Sequence, residues 1–163
     1  MNTSTALPRQ RLCVLGSTGS VGVNTLDVAA RHPGRFEIVA LAGHMRVDEL
    51  FAQCVRWRPR FVAMGQPAQA DELARRLRQA GVATEVMHGP QALRELAAHP
   101  EVDTVMAAIV GAAGLPPCMA AARAGKRLLL ANKEALVVGG AQFMSAVAEG
   151  GAVLLPIDSE HSA

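Results

Sequence analysis

Three glycines spaced three residues apart, Gly16, Gly19 and Gly22, form the clearest candidate for chemistry in this chain. They lie in the stretch GSTGSVG, directly after the short apolar segment RLCVL. Backbone N–H groups in such a turn can point at a phosphate, and a helix that begins there adds the positive end of its dipole. Thr18 and Ser20 would add hydroxyl donors. The common dinucleotide-binding spacing is G-x-G-x-x-G, and here it is G-x-x-G-x-x-G, so a plain structural turn is the alternative.

The stretch AGHMRV, residues 42–47, carries the next candidate residues. Domains that bind NAD usually place Asp or Glu at this point, to hold the ribose 2′-hydroxyl. Here no carboxylate precedes Asp48, and His44 and Arg46 are present instead. Because a guanidinium suits a 2′-phosphate in charge and geometry, the sequence favours NADP over NAD. The alternatives are a solvated loop residue for Arg46 and an exposed side chain without a role for His44.

The stretch ANKEAL places Asn132, Lys133 and Glu134 after an apolar segment. Asn132 and Glu134 could equally be a helix cap and a first-turn acid. Lys133 is harder to explain structurally, because cations are unfavourable at helix N-termini. A phosphate, a carbonyl or an oxyanion nearby would account for it.

The last stretch, PIDSEHSA, contains two carboxylates separated by one residue, Asp158 and Glu160. On an extended chain these side chains point the same way. Two such oxygen ligands suit Mg²⁺ or Mn²⁺. The pattern is weak alone, since unrelated surface carboxylates would give it too, and the neighbouring His161 is ambiguous.

Short apolar segments alternate with helical patterns along the whole chain. Strands are predicted at residues 11–15, 36–42, 61–64, 83–87, 104–110, 127–131 and 152–156, with helices between them. The alternation predicts an α/β fold: a Rossmann-like, doubly wound, mostly parallel sheet with helices on both faces. Such sheets bind ligands at the carboxyl ends of their strands, which is where all four candidate stretches fall.

Composition excludes several other classes of protein. A net charge of +2 over 163 residues does not suggest nucleic-acid binding. Arg75, Arg76 and Arg78 are interpreted as a solvated helix face. The uncharged run 105–122 is too rich in Ala, Gly and Pro for a membrane span. The three scattered cysteines are interpreted as buried free thiols in a reducing cytosol, which predicts a cytoplasmic location.

Taken together, these stretches resemble the 1-deoxy-D-xylulose 5-phosphate reductoisomerase family. The matching text is LGSTGSVG, TLDV, VMAAIVGAAGL, AGK, LLLANKEALV and LLPIDSEHSA, from about residue 11 to residue 163. Members of that family use NADPH and a divalent metal to convert 1-deoxy-D-xylulose 5-phosphate into 2-C-methyl-D-erythritol 4-phosphate in isoprenoid biosynthesis. The resemblance therefore implies a small phosphorylated sugar as substrate, and a homodimer for the full-length enzyme.

The resemblance also implies roles for individual residues. Asp158 and Glu160 would be two of three metal ligands, Lys133 would reach the substrate and act in catalysis, and Ser159 and Glu160 would contact the substrate. The implied cofactor-binding residues are Gly16, Thr18, Gly19, Ser20, Val21, His44, Arg46, Asn132 and Glu134. The loop at residues 42–47 departs from the family pattern, because Met45 and Arg46 stand where a basic residue followed by Asn is usual.

Family members run to roughly 400 residues, so we expect this chain to be the N-terminal portion. We expect a disordered tail at residues 1–10, an NADPH-binding domain at 11–156 and the truncated start of a metal-binding catalytic domain at 157–163. One alternative is a nucleotide-binding module with no catalytic activity of its own. Another is an NADP reductase of the aspartate-semialdehyde dehydrogenase type, which needs a nucleophilic cysteine such as Cys118.

Overall fold

The computed structural model describes residues 8–131 and 134–157 of the chain. Within these ranges, strands and helices alternate from β1 to β7. The elements are β1 (Gln10–Leu15), α1 (Ser20–Arg31), β2 (Phe36–Ala42), α2 (Val47–Trp57), β3 (Phe61–Met64), α3 (Pro67–Gln79), β4 (Glu85–His88), α4 (Gly89–Ala97), β5 (Thr104–Ala107), α5 (Leu115–Arg123), β6 (Arg127–Leu130), α6 (Glu134–Gly150) and β7 (Val153–Pro156). A 3₁₀ turn at Ala112–Gly114 precedes α5.

The strands described in these ranges form one seven-stranded sheet in the order β4-β3-β2-β1-β5-β6-β7. All neighbouring pairs are parallel. The chain winds outward from β1 to β4, returns through α4, and winds outward the other way from β5 to β7. The predicted doubly wound fold is confirmed, and its switch point lies between β1 and β5.

Two apolar cores lie on opposite faces of the sheet. Alternate residues of β1 divide between them, with Val14 in one core and Cys13 and Leu15 in the other. Helices α1, α2 and α3 cover the first face, through residues such as Leu26, Leu50 and Leu73. Helices α4, α5 and α6 cover the second, through residues such as Leu96, Cys118 and Phe143.

Helix α2 shows how local sequence sets an element. Val47, Leu50 and Cys54 recur on one helical face, and all three are buried. Asp48 and Glu49 occupy the first turn, where acids favour the helix dipole. The helix ends at Trp57, and its C-cap residue Arg58 adopts a left-handed conformation with φ 46°, directly before Pro59.

Some predicted bounds were wrong. β5 ends at Ala107 instead of residue 110, because β1 turns away at Gly16 and offers no further partners after Ala108 N–H donates to Leu15 O. β4 begins at Glu85 instead of residue 83, because its partner strand begins only after Pro59. The helical stretch up to residue 150 is interrupted at Gly140, whose φ of 45° and ψ of −128° are not helical.

Part of the predicted site lies outside the described residues: Asn132, Lys133, Asp158, Ser159 and Glu160. The same holds for residues 1–7 of the predicted tail, whereas Gln10 already pairs with Phe36 in β1. Among the residues that are described, no helix has the length and apolar character needed to cross a membrane.

Candidate cofactor-binding cleft

A cleft of about 740 Å³ opens at the carboxyl edge of the sheet, at the switch point between β1 and β5. The loops that follow the first five strands form its walls, as expected for a doubly wound sheet. Its lining residues are Gly16, Thr18, Gly19, Ala42, Gly43, His44, Met64, Gly65, Gln66, Gly89, Pro90, Leu93, Ala108, Ile109, Val110, Ala113 and Pro116.

The turn after β1 depends on Gly16 for its shape. The N–H groups of Gly16 and Ser17 both donate to the carbonyl oxygen of Ala42, each at 2.9 Å, which ties the turn to β2. Gly16 has a φ of 78°, and a β-carbon there would lie 2.6 Å from Ala108 O. Only glycine meets both conditions, so Gly16 brings the turn against the end of β5.

Gly19 has a different role from Gly16. It is the N-cap of α1, with extended backbone and no side-chain cap. The first N–H groups of the helix, at Ser20 and Val21, have no intrahelical acceptors and are available to a ligand. A β-carbon at Gly19 would meet only Gly16 O, at an ordinary 3.6 Å. Packing does not require glycine there, so its small size leaves room for a group in the cleft.

The other predicted residues of this turn fall in three different places. Thr18 is partly buried and lines the cleft, while Ser20 is exposed at the start of α1. The Val21 side chain lies away from the cleft, in a separate apolar groove of about 330 Å³ beside α1. A cofactor contact by Val21 would therefore come from its backbone.

The loop after β2 brings His44 and Arg46 to the same edge. The exposed His44 lies against Gly65, where an added β-carbon would be 2.2 Å from His44 Nδ1. Arg46 is the exposed N-cap of α2, and its Nη1 donates to Thr18 O at 3.3 Å. The guanidinium is thus placed over the glycine turn, with N–H groups left for an anion.

Asp48, the first carboxylate after β2, is paired elsewhere. Its Oδ1 lies 2.6 Å from Nη1 of Arg76 on α3. Because Asp48 belongs to the first turn of α2 and faces Arg76, it does not take the position at the end of β2 from which an acid holds a ribose hydroxyl.

Glu134, the first residue of α6, lies beside the loop that follows β5. Its Oε2 is 3.8 Å from the position that a β-carbon on Gly111 would take. That loop supplies Ile109 and Val110 to the wall of the cleft. Glu134 therefore borders the far wall, on the opposite side from Arg46.

Sequence reasoning missed two parts of the cleft. The loops after β3 and β4 contribute Gly65, Gln66, Gly89 and Pro90 to its walls. The rule that ligands lie at strand ends could have found them, had it been applied to every loop. The sequence analysis also missed Gln53 on α2, which forms two hydrogen bonds with Ser17. No local motif marks that residue.

The three cysteines do not form a reactive site. Cys13, Cys54 and Cys118 are free and buried, which confirms the predicted buried thiols. Burial raises the pKa of each thiol to about 12. Cys118 is 1% exposed on the inner face of α5, so it lacks the thiolate and the access that a nucleophile needs. Cys118 therefore cannot be the nucleophile that an enzyme of the aspartate-semialdehyde dehydrogenase type needs.

The two predicted metal ligands lie outside the residues that the structure describes. Residues 8–131 and 134–157 hold no group of three or more His, Cys, Asp or Glu side chains that could bind a metal ion. The predicted ligands Asp158 and Glu160 follow β7 directly, beyond Ile157. The metal site therefore stays a prediction.

Fold and cleft together define a class: a doubly wound, Rossmann-like domain with a glycine turn at its switch point. A sequence profile described as 1-deoxy-D-xylulose 5-phosphate reductoisomerase matches residues 12–140. The chain belongs to the 1-deoxy-D-xylulose 5-phosphate reductoisomerase family.

Curated relatives extend this match over nearly the whole chain. The reductoisomerase of Aromatoleum aromaticum is 62% identical over 154 residues, which cover 94% of this chain and 38% of that protein. The Pseudomonas fluorescens enzyme is 59% identical, over 94% of this chain and 39% of its own length. The chain thus spans about two fifths of the length of these relatives.

Solved structures agree with the sequence comparison. A reductoisomerase in complex with NADPH, fosmidomycin and magnesium has a TM-score of 0.90 and 46% identity, covering 94% of this chain and 38% of that one. The Zymomonas mobilis reductoisomerase in complex with NADPH has a TM-score of 0.87 and 40% identity, covering 95% and 40%. An NAD-binding oxidoreductase from Klebsiella pneumoniae, 21% identical with a TM-score of 0.59, shares the fold alone.

Proposed function

We propose that this chain is the NADPH-binding part of a 1-deoxy-D-xylulose 5-phosphate reductoisomerase. The observation that carries the proposal is the arrangement of Gly19 and Arg46. A helix N-terminus with an open approach lies beside a guanidinium, at the switch point of the sheet. An anionic dinucleotide with an additional phosphate fits this combination.

The glycine turn suits the pyrophosphate. The N–H groups at the start of α1 lack intrahelical acceptors, and the helix dipole favours negative charge at this end. Gly19 leaves the approach open, and Thr18 lines the same wall. The residues present therefore fit a dinucleotide phosphate group.

The loop after β2 suits the 2′-phosphate of NADPH better than the free hydroxyl of NADH. Arg46 is exposed at this loop, and residues 43–47 include no acid. Asp48 is held by Arg76 on the outer side of α2. A 2′-phosphate would meet a cation here, and a ribose hydroxyl would find no carboxylate. His44, packed on Gly65, would border the adenine end of the same pocket.

The chemistry assigned to the whole protein follows from its family. NADPH, when bound, supplies the hydride for the reduction that yields 2-C-methyl-D-erythritol 4-phosphate. The domain's contribution is to hold the nicotinamide end near β5 and α6, where Glu134 borders the cleft. Lys133 and Ser159 are proposed to contact the phosphorylated sugar, and Asp158 and Glu160 to hold Mg²⁺ or Mn²⁺.

The alternative to this proposal is a dinucleotide-binding module without turnover of its own. The chain covers 38% of the length of the Aromatoleum aromaticum relative, so turnover is tested directly on the 163-residue chain. The experiment is NADPH oxidation by the 163-residue chain with 1-deoxy-D-xylulose 5-phosphate and Mn²⁺. Substrate-dependent oxidation overturns the module alternative. NADPH binding without oxidation supports that alternative for this chain, and absence of NADPH binding overturns both.

The assembly and location of the protein are proposed from the family alone. A homodimer of the full-length protein in the cytoplasm remains the expectation. Sedimentation of the full-length protein would measure the oligomeric state, and a monomer at micromolar concentration would contradict the dimer.

A further inference from the structure

Side chains of α2 and of its N-cap residue bind two adjacent carbonyl groups of the glycine turn, those of Ser17 and Thr18. Nε2 of Gln53 donates to Ser17 O at 2.8 Å. Ser17 Oγ in turn donates to Oε1 of Gln53, also at 2.8 Å. Arg46, at the start of the same helix, donates to Thr18 O at 3.3 Å. Helix α2 and its N-cap residue therefore form hydrogen bonds with two consecutive carbonyl groups of the turn.

The pairing of Gln53 with Ser17 is well protected from water. The Ser17 side chain has no exposed surface, and Gln53 is only partly exposed. Leu50 and Cys54, the neighbours of Gln53 on the buried side of α2, are fully buried and fix the helix against the sheet. A donor and acceptor paired at such a site are costly to leave unsatisfied.

Two hydrogen bonds fix the orientation of the two peptide groups that flank Ser17. Ser17 N–H donates to Ala42 O, and Ser17 C=O accepts from Gln53, so both backbone groups of Ser17 are held. A trans peptide is planar, and its C=O and N–H point in opposite directions. Because Ser17 O points toward Gln53, the N–H of Thr18 points away from α2. Thr18 lies in the wall of the cleft.

We propose that Gln53 is a positioning residue for the cofactor pyrophosphate, acting through Ser17. It orients the peptide that links Ser17 to Thr18, so that the turn presents its N–H groups to phosphate oxygens without reorganisation on binding. This inference rests on the proposed NADPH function and assigns one residue of that function to a helix outside the glycine motif. Gln53 is not among the residues that line the cleft.

The test compares Gln53→Met with Gln79→Met in the 163-residue chain. Methionine keeps the length of the side chain and removes both hydrogen bonds, and Gln79 is an exposed glutamine at the end of α3. Two ligands are titrated: NADPH, and adenosine 2′-monophosphate, which carries the 2′-phosphate but no pyrophosphate. Thermal midpoints and the exchange rate of the Thr18 amide proton are measured on the same samples.

We expect Gln53→Met to weaken NADPH binding about tenfold, as for the loss of a well-made hydrogen-bonded pair. Affinity for adenosine 2′-monophosphate should stay within about twofold of the parent chain. The Thr18 amide should exchange faster in the variant, and Gln79→Met should change none of these values. A purely structural role for Gln53 would lower the thermal midpoint and leave the ratio of the two affinities unchanged.

Unchanged NADPH affinity in Gln53→Met, or equal losses for both ligands, would overturn the inference and leave the proposed function intact. Absence of NADPH binding by the parent chain would instead overturn the proposed function and this inference together. Should Gln53→Met fail to fold, Ser17→Ala is measured in its place. Ser17→Ala removes the hydrogen bond from Ser17 Oγ to Gln53 and keeps the one from Gln53 to Ser17 O. Ser17→Ala should show a smaller loss confined to NADPH, and an equal loss for both ligands would again overturn the inference.

Discussion

Gly22 lies so close to Gly16 that a β-carbon on Gly22 would be 2.2 Å from the Gly16 carbonyl oxygen and 2.5 Å from Ser17 Cα. The first turn of α1 therefore packs directly on the turn that follows β1. Neither contact is to a flexible side chain, so the backbone itself would have to move. Two glycines of one motif thus have different roles: Gly22 is required by packing, and Gly19 is not.

Substitution of these two glycines by alanine should therefore separate stability from binding. Gly22→Ala should lower the free energy of unfolding by about 1–3 kcal/mol, because the added methyl group meets backbone atoms. Gly19→Ala should lower it by no more than about 1 kcal/mol, the usual cost of a poorer N-cap residue, since its extended backbone is open to alanine. Urea unfolding measures both.

NADPH binding should be affected more by Gly19→Ala than by Gly22→Ala, the reverse of their effects on stability. Gly19→Ala should weaken NADPH binding at least about tenfold, because the methyl group fills the approach to the helix N-terminus. Calorimetric titration of the folded variant measures this effect. Unchanged affinity would contradict the assignment of Gly19 as the open side of the phosphate site.

Arg46→Ala should reduce the preference for NADPH over NADH. Its guanidinium is placed over the turn by the bond to Thr18 O, and a charge-assisted contact with a 2′-phosphate is worth about 1.5–3 kcal/mol. NADPH should lose about tenfold or more in affinity, and NADH should change little. Arg75→Ala, at an exposed position of α3, is the matched control. Equal losses for both nucleotides would contradict the role of Arg46.

The cysteines should be inert in the folded chain. Burial raises the pKa of Cys13, Cys54 and Cys118 to about 12, so almost no thiolate is present at pH 8. An aromatic disulfide reagent should label none of them rapidly in buffer and all three in denaturant. One fast-reacting equivalent in the native chain would show that a thiol is accessible.

Asp103 should contribute stability that depends on pH. Arg11 donates to it from its backbone N–H, Nε and Nη2, and the side-chain hydrogen bond from Arg11 holds the pKa of the Asp103 carboxyl below its usual value. The stabilisation is therefore complete above the unfolded-state pKa of about 3.9 and is lost as pH falls through the lower folded pKa.

Asp103→Asn tests this dependence. Because 44% of the Asp103 side-chain surface is exposed, solvent screening limits the expected loss at pH 7 to about 0.5 kcal/mol. The difference from the parent chain should shrink as the pH falls below 3.9 in urea unfolding series. Asp71→Asn, at an exposed position of α3, is the matched control. A difference that persists or grows in acid would contradict the assigned cause.

The sequence alone predicted the elements well where local signals were strong. Buried strands such as Phe36–Ala42 and Phe61–Met64 have the predicted bounds, because apolar runs end at Gly, Pro or polar residues. The doubly wound fold followed from the alternation of strands and helices along the chain. The end of β5 could not be predicted, since it is set by Gly16 turning away on a neighbouring strand.

The site was predictable to the extent that its residues lie in local motifs. Gly16, Thr18 and Gly19 do line the cleft, and Arg46 does reach the glycine turn. The contributions of Gly65 and Gln53 depend on contacts between separate elements. His44 packs on Gly65 across two loops, and Gln53 reaches Ser17 from 36 residues away, so no short pattern reports either.

The central claim is that the cleft at the β1–β5 switch point holds NADPH. Calorimetric titration of the 163-residue chain with NADPH and with NADH, in the same buffer, tests this claim most directly. Saturable binding of NADPH at least about tenfold tighter than that of NADH is the predicted result. Equal affinities for the two nucleotides, or no binding of NADPH, would contradict it.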